Sequence, residues 1–149
     1  MNYSSKDPNF KTKVVESFKR QAFMSLLGAG LIKTEPGYCE IHLPYSKQLT
    51  QQHGFFHAGV IGTLADTAAG YAAFSLMNFD SSILTVEFKL NLIAPGEGEL
   101  LIGVSNVLKC GKTLTICRSE VYIVKNGMKK LCAASQSTLI ELAGKKDHK

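Results

Sequence analysis

From Ala58 to Ala73 the chain runs for sixteen residues in almost nothing but small or apolar side chains, with one carboxylate, Asp66, set among them. Its alanines favour a helix, and its length suits a helix over 58–76. The stretch is too short, too Gly-rich and too interrupted by Asp66 and threonines to span a membrane. A helix this apolar must be covered by the rest of the chain, and Gly62, Ala65, Ala68, Ala69, Gly70, Ala72 and Ala73 leave room for a close-packed neighbour.

The second half of the chain supplies the cover. In TVEFKLNLIAP (85–95), Val86, Phe88, Leu90 and Leu92 alternate with Thr85, Glu87, Lys89 and Asn91, which predicts a half-buried strand with the threonine on its polar face. PGEG (95–98) reads as a turn. ELLIGVSNVLK (99–109), TLTICRSEVYIVK (113–125) and KKLCAASQSTLIEL (129–142) read as three more strands, with Asn126-Gly127 as a hairpin turn. Upstream, residues 13–30 carry apolar residues at helical spacing and end at Gly28 and Gly30, and GYCEIHLPY (37–45) reads as a short strand. The expected order is helix, strand, long helix, then a meander of four strands. That is an α+β fold, a curved antiparallel sheet wrapped round one central helix, in a single domain over 1–149 with residues 1–12 and 143–149 flexible.

Composition excludes several function classes. With 45% hydrophobic and 19% charged residues the chain is not disordered. The net charge of +5 owes part of its excess to the C-terminal GKKDHK, and no basic stripe interleaves with aromatics, so nucleic acid is not an expected partner. The modest positive field suits an anionic small substrate. Cys39, Cys110, Cys117 and Cys132 form no CxxC pair and no signal-peptide pattern opens the chain, which fits reduced thiols in the cytoplasm. His53 and His57 share i, i+4 spacing, but HGFFH lacks the glutamate of the zinc-protease motif, and neither a metal nor another cofactor is expected.

An acid in apolar surroundings is costly to ionise, and acids perturbed in this way cluster at functional sites. HGFFHAG delivers the chain to the start of the same helix, where the first amides, near Ala58 and Gly59, are unpaired donors suited to an oxyanion. Asp66 lies eight residues further on, ~12 Å along the axis. One helix therefore cannot bring both groups to one reacting carbonyl, whereas two antiparallel copies about a two-fold axis can.

HAGVIGTLADTAAGYAA, TVEFKLNLIAPGEGE and VLKCGKTLTICRSEVYI, in that order, resemble the hotdog-fold acyl-CoA thioesterases of the phenylacetate-pathway type over about residues 20–142. The resemblance implies hydrolysis of an acyl-CoA thioester in a homodimer that pairs into a tetramer. Asp66 would be nucleophile or general base, the Ala58 amide would polarise the carbonyl, Thr85 would orient the attacking water, and Gln51 would contact the thioester or the water. His57 is the motif histidine, and it orients the loop by hydrogen bonding. Gly59 and the loop Lys109, Cys110, Gly111, Lys112, Thr113 and Leu114 would bind CoA. The chain departs from the family pattern twice. Ala58-Gly59 replaces Gly-Gly, which is harmless only if residue 58 needs no left-handed backbone, and Gln51 replaces a more usual Asn. Phe55, Phe56, Tyr71 and Phe74 are read as core or dimer contacts rather than as acyl-binding residues. Hydratases of this fold use His–Asp or His–Glu pairs in other motifs that this chain lacks. A non-catalytic acyl-CoA binder is the alternative, which would keep the lysine loop and dispense with Asp66.

Overall fold

The computed structural model describes residues 3–147. In chain order it contains α1 (Phe10–Arg20), α2 (Ala22–Leu27), β1 (Gly30–Glu35), β2 (Tyr38–Pro44), a short 3-10 turn (Lys47–Leu49), α3 (Ala58–Phe74), β3 (Ser82–Leu92), β4 (Leu100–Cys110), β5 (Leu114–Lys125) and β6 (Met128–Leu142). The strands form one antiparallel sheet in the order β1-β2-β4-β5-β6-β3. The sheet curves round α3, which matches the expected fold class.

The face of α3 made of Leu64, Ala65, Ala68, Ala69 and Ala72 is fully buried against the sheet. The strands meet it with equally small residues. Gly103 on β4, Val121 on β5 and Ala133 on β6 form one row, and Ser105, Ser119 and Ser135 form the next. A Cβ at Gly103 would lie 2.7 Å from Leu64 Cγ and 3.2 Å from the Leu64 carbonyl oxygen, so helix and sheet touch there through backbone. Ser119 Oγ donates to the Ala65 carbonyl at 2.9 Å, and Cys117 Sγ reaches the Ala69 carbonyl at 3.6 Å, one helical turn further on. The sheet thus offers hydrogen bonds to a helix face that water cannot reach.

Several expectations need correction. The helix expected over 13–30 is two helices, broken at Gln21, whose backbone is extended (φ −74°, ψ 96°), and stopped at Gly28 in the left-handed region (φ 77°). Gly30–Glu35 is a strand that the pattern did not predict. It lies at a sheet edge, and GLIKTE shows no alternation because none of it is fully buried. Residues 7–12 are not a loose arm: Asp7 is buried, and α1 begins at Phe10. Within GKKDHK, Asp147 pairs with Arg20 at 2.7 Å, while residues 148 and 149 lie outside the described residues, as do residues 1 and 2.

The strand expected from residue 85 begins at Ser82 and is not part of a meander. β3 pairs with β6 at the far edge of the sheet, and the segment between β3 and β4 passes the start of α3, where Phe56 N donates to Gly96 O at 2.9 Å. The alternation read into β3 also fails at one point. Thr85 pairs with Leu139 and Glu87 with Thr138, so Val86 is an extra residue in a β-bulge. The bulge reverses the facing of everything before it. Thr85 therefore shares the inner face with Phe88 and Leu90, which oppose the buried Ser137 and Ser135, rather than lying with Glu87 and Lys89.

The Gly103–Leu64 contact gives a direct test. Gly103→Ala should overpack the helix against β4 and lower stability by about 1–3 kcal/mol, read as a lower urea midpoint at unchanged slope.

Candidate active site

Asp66 leaves α3 beside the edge strand of the sheet, half-buried opposite the start of β3. Thr85 Oγ1, turned inward by the bulge, donates to Asp66 Oδ1 at 2.8 Å. Burial raises the carboxyl above its ordinary value of 3.8, and the threonine hydrogen bond partly opposes the rise by favouring the charged form. Both residues line a groove of about 720 Å³ that follows α3 from Ala58 and Gly59 to Tyr71 and Phe74.

The start of α3 is the second component. His57 is its N-cap, and Nδ1 accepts a hydrogen bond from Gly59 N at 2.9 Å. That bond requires Nδ1 without a proton, hence the tautomer protonated at Nε2. The His57 carbonyl accepts from Val60 N at 3.0 Å and from Ile61 N at 3.2 Å. Of the first four helix amides, three are therefore used. The Ala58 N–H has no acceptor among the described residues and faces solvent with the helix dipole behind it. The Gly59 amide, expected to bind substrate, is instead occupied by the His57 ring. Ala58 is the first residue of the helix, and among the described non-glycine residues only Asn126 has positive φ, so alanine fits there without strain.

Gln51 sits beside this end. It opens a turn in which Gly54 N donates to Gln51 O at 2.9 Å, and its side-chain oxygen accepts from the His53 amide, which leaves the carboxamide NH₂ as the available donor. Gln51 and Ala58 share a smaller groove of about 430 Å³ with Phe55, Phe56, Ile61 and Pro95.

Not all the sequence-derived residues converge in one chain. Asp66 and Thr85 meet, and so do Gln51, His57, Ala58 and Gly59. The two groups are separated by unbroken helix, ~12 Å for eight residues. The hairpin 110–114, closed by Gly111 N donating to Leu114 O at 2.8 Å, lines neither groove, and Lys109 and Lys112 are exposed. The row Thr115–Leu139–Thr85 places the hairpin two strands from Thr85, roughly 10 Å across the sheet. Cys110 is half-buried and accepts a weak bond from Thr115 Oγ1 at 3.7 Å, and the Thr113 carbonyl accepts from Glu141 N at 3.0 Å. Sequence reasoning missed Ser17, Gln21, Phe23 and Met24, which wall the far end of the larger groove. They come from α1, α2 and the break between them, and no local pattern points them at the groove.

The cap generates a prediction. His57→Ala should leave the Gly59 amide without its acceptor and cost about 1 kcal/mol in urea unfolding, and His57→Asn, which offers an oxygen to the same amide, should restore most of the loss.

Comparison with known proteins gives the family and the fold. The family model described as the thioesterase superfamily matches residues 53–129, which include the α3 cap, Asp66, Thr85 and the lysine hairpin. A thioesterase family protein from Silicibacter pomeroyi, of known crystal structure, is 44% identical, with a TM-score of 0.89 over 91% of this chain and 99% of that one. The structure of the Escherichia coli PaaI protein from the phenylacetic acid degradation operon shares the fold, with a TM-score of 0.82 at 20% identity over 93% of this chain and 96% of that one. A 1,4-dihydroxy-2-naphthoyl-CoA hydrolase from Listeria monocytogenes is 24% identical over 106 residues, 71% of this chain and 85% of the hydrolase. With its curved sheet, its capped central helix and a match running through both parts of the site, this chain belongs to the thioesterase superfamily.

Proposed function

We propose that this protein hydrolyses an acyl-CoA thioester to the free acid and CoA, at sites shared across a two-fold homodimer. The observation that carries the reading is the pairing of two features on one helix: a half-buried carboxylate held by Thr85 and a single open amide at Ala58. In the dimer the Ala58 amide of one chain polarises the thioester carbonyl, and Asp66 of the other acts on the same carbon. As general base, Asp66 takes a proton from water while the water oxygen attacks. As nucleophile, it forms a mixed anhydride that water then opens. In either route the C–S bond breaks and the departing thiolate takes up a proton to become CoA thiol. Gln51 offers its NH₂ to the thioester or the water, and the lysine hairpin approaches the CoA phosphates through Lys109 and Lys112.

The edge of the sheet supports the dimer. β3 ends the sheet unpaired on one side and exposes Val86, Leu84 and Leu92 by more than half, at 58%, 57% and 54%. A second copy would cover them, and two such dimers would form the tetramer that the resemblance implies. The four free cysteines suit a reducing compartment such as the cytoplasm, and among the described residues no helix is long and apolar enough to cross a membrane.

Release of thiol from a panel of short, long and aromatic acyl-CoAs tests the activity, and its absence across the panel would favour a binding protein. Asp66→Ala and Asp66→Asn should lose about 10²–10⁴-fold in kcat. Folding raises the Asp66 pKa, so the charged form costs stability at pH above that pKa and the cost disappears as pH falls below the unfolded value. Asp66→Asn should therefore melt no lower than the native protein at neutral pH, which separates lost chemistry from lost fold. The acid limb of kcat should lie above 3.8, and Thr85→Val should move it higher.

Subunit mixing tests the shared site. Asp66→Ala and Ala58→Pro chains should each be inactive, since proline removes the amide yet is tolerated at the first helical position. A heterodimer of the two keeps one intact site and should recover up to about half the native activity per dimer. No recovery in proven heterodimers would place both groups in one chain.

A further inference from the structure

The sheet face turned away from α3 is polar along one row that crosses five strands, Tyr38, Asn106, Arg118, Gln136 and Lys89. Nearer the lysine hairpin the same face becomes aliphatic. Leu114 on β5, Ile140 on β6 and Leu84 on β3 form one row. The neighbouring row Thr115–Leu139–Thr85 faces inward, with Thr115 and Leu139 buried, so alternation turns Leu114, Ile140 and Leu84 outward. Ile116, paired with Lys109, stands in the next outward row, and Leu108 is the extra residue of the bulge before Lys109. Leu84 is 57% exposed, Leu114 45% and Leu108 40%.

The extent of this patch suits a second copy of the dimer. At roughly 100 Å² for a fully exposed aliphatic side chain, it presents about 200 Å² per chain. Chains joined edge to edge along β3 about a two-fold axis normal to the sheet carry both patches on one side. Two such dimers meeting outer face to outer face bury four patches, about 800 Å². With the usual apolar share of a little over half, the whole contact comes to ~1,400 Å², the size of a stable interface.

The rim of the patch sets the condition for docking. Lys109 and Lys112 are exposed and enter no ion pair among the described residues, and residues 108–116 hold no carboxylate. Glu120 on this face is engaged by Arg118 and Tyr122, and Glu87 lies two strands from Ile116, roughly 10 Å away. Docked patches bring the hairpins of two dimers within about a Debye length of each other. Their like charges oppose docking, and a polyanion held between them favours it. We propose that dimers of this protein pair through the aliphatic end of the outer sheet face, and that CoA held at the lysine hairpins drives the pairing. This rests on the acyl-CoA and dimer readings and adds a link between substrate binding and assembly. By reciprocity, the paired form binds CoA more tightly than the lone dimer.

Sedimentation velocity over a range of protein concentrations reads the assembly, with CoA or with pantetheine, which lacks the nucleotide phosphates. A preference of about fivefold at each of four sites multiplies to roughly 600-fold in the dimer–tetramer dissociation constant. Pantetheine should leave that constant unchanged. Lys109→Ala with Lys112→Ala should tighten association without CoA and abolish the response to it. Leu84→Lys adds a like charge at an exposed position. It should remain two-chain with CoA present, keep its kcat because both reacting groups lie within the dimer, and bind CoA about fivefold more weakly in calorimetry. Leu108→Lys, on a different strand, carries the same expectation should Leu84→Lys fail to fold. A protein that stays two-chain at saturating CoA overturns the proposal, and capture of that two-chain form by vesicles of anionic lipid would give the patch to a bilayer instead. A tetramer that both lysine variants leave intact overturns it equally. A tetramer that they split but CoA does not move keeps the face and overturns the link. CoA-driven pairing without thiol release sinks the hydrolase reading alone, and thiol release from a protein that never exceeds two chains sinks this proposal alone.

Discussion

The rest of the structure depends on how closely α3 lies on the sheet. At Gly103 the strand has no side chain and Leu64 fills the space, and in the next row Ser119 meets the Ala65 carbonyl. A larger residue in this layer would lift the helix and draw Ser119 and Cys117 away from the carbonyls of Ala65 and Ala69. Close packing gains dispersion contacts that a looser layer would forfeit. It also fixes the side of the helix where Asp66 stands relative to β3. The small residues that make the segment conspicuous in sequence therefore serve the position of the one residue among them that is not small or apolar.

The two ends of the site are held by different means. Thr85 reaches Asp66 because a bulge turns it inward, and the Ala58 amide is open because His57 and its carbonyl occupy the other three. Each arrangement is local, involving a few residues and one or two hydrogen bonds. The ~12 Å between them is a property of helix geometry and does not change with side chains. In the proposed mechanism, cooperation of the two groups is therefore a question of assembly rather than of loop motion.

Much of this was legible in the sequence because it is local. The run 58–73 announced its helix by composition, Asn126-Gly127 announced a hairpin, and Asp66 stood out against its neighbours. What stayed hidden depends on contacts distant in the chain. β1 is an edge strand whose solvent-facing residues carry no period, and β3 pairs with β6 rather than with β4, which the order of strands does not reveal. Thr85 was read as an outward-facing residue because alternation counts residues and a bulge adds one. Ser17 and Gln21 reach the groove only because α1 and α2 fold back beside α3, and nothing within their own segment points there.

The bulge at Val86 has a consequence for descent with change. Substituting Thr85 alters one contact and can be undone by a single reversion. Drawing Val86 into the regular ladder would alter no side chain of the pair, yet it would turn residue 85 to the outer face while Phe88 and Leu90 stayed inside, whereas deleting Val86 would leave Thr85 inward. An alignment of relatives that follows hydrophobic alternation alone would put residue 85 on the wrong face. The register of β3 between Thr85 and Phe88 carries as much information about the site as the identity of any residue within it.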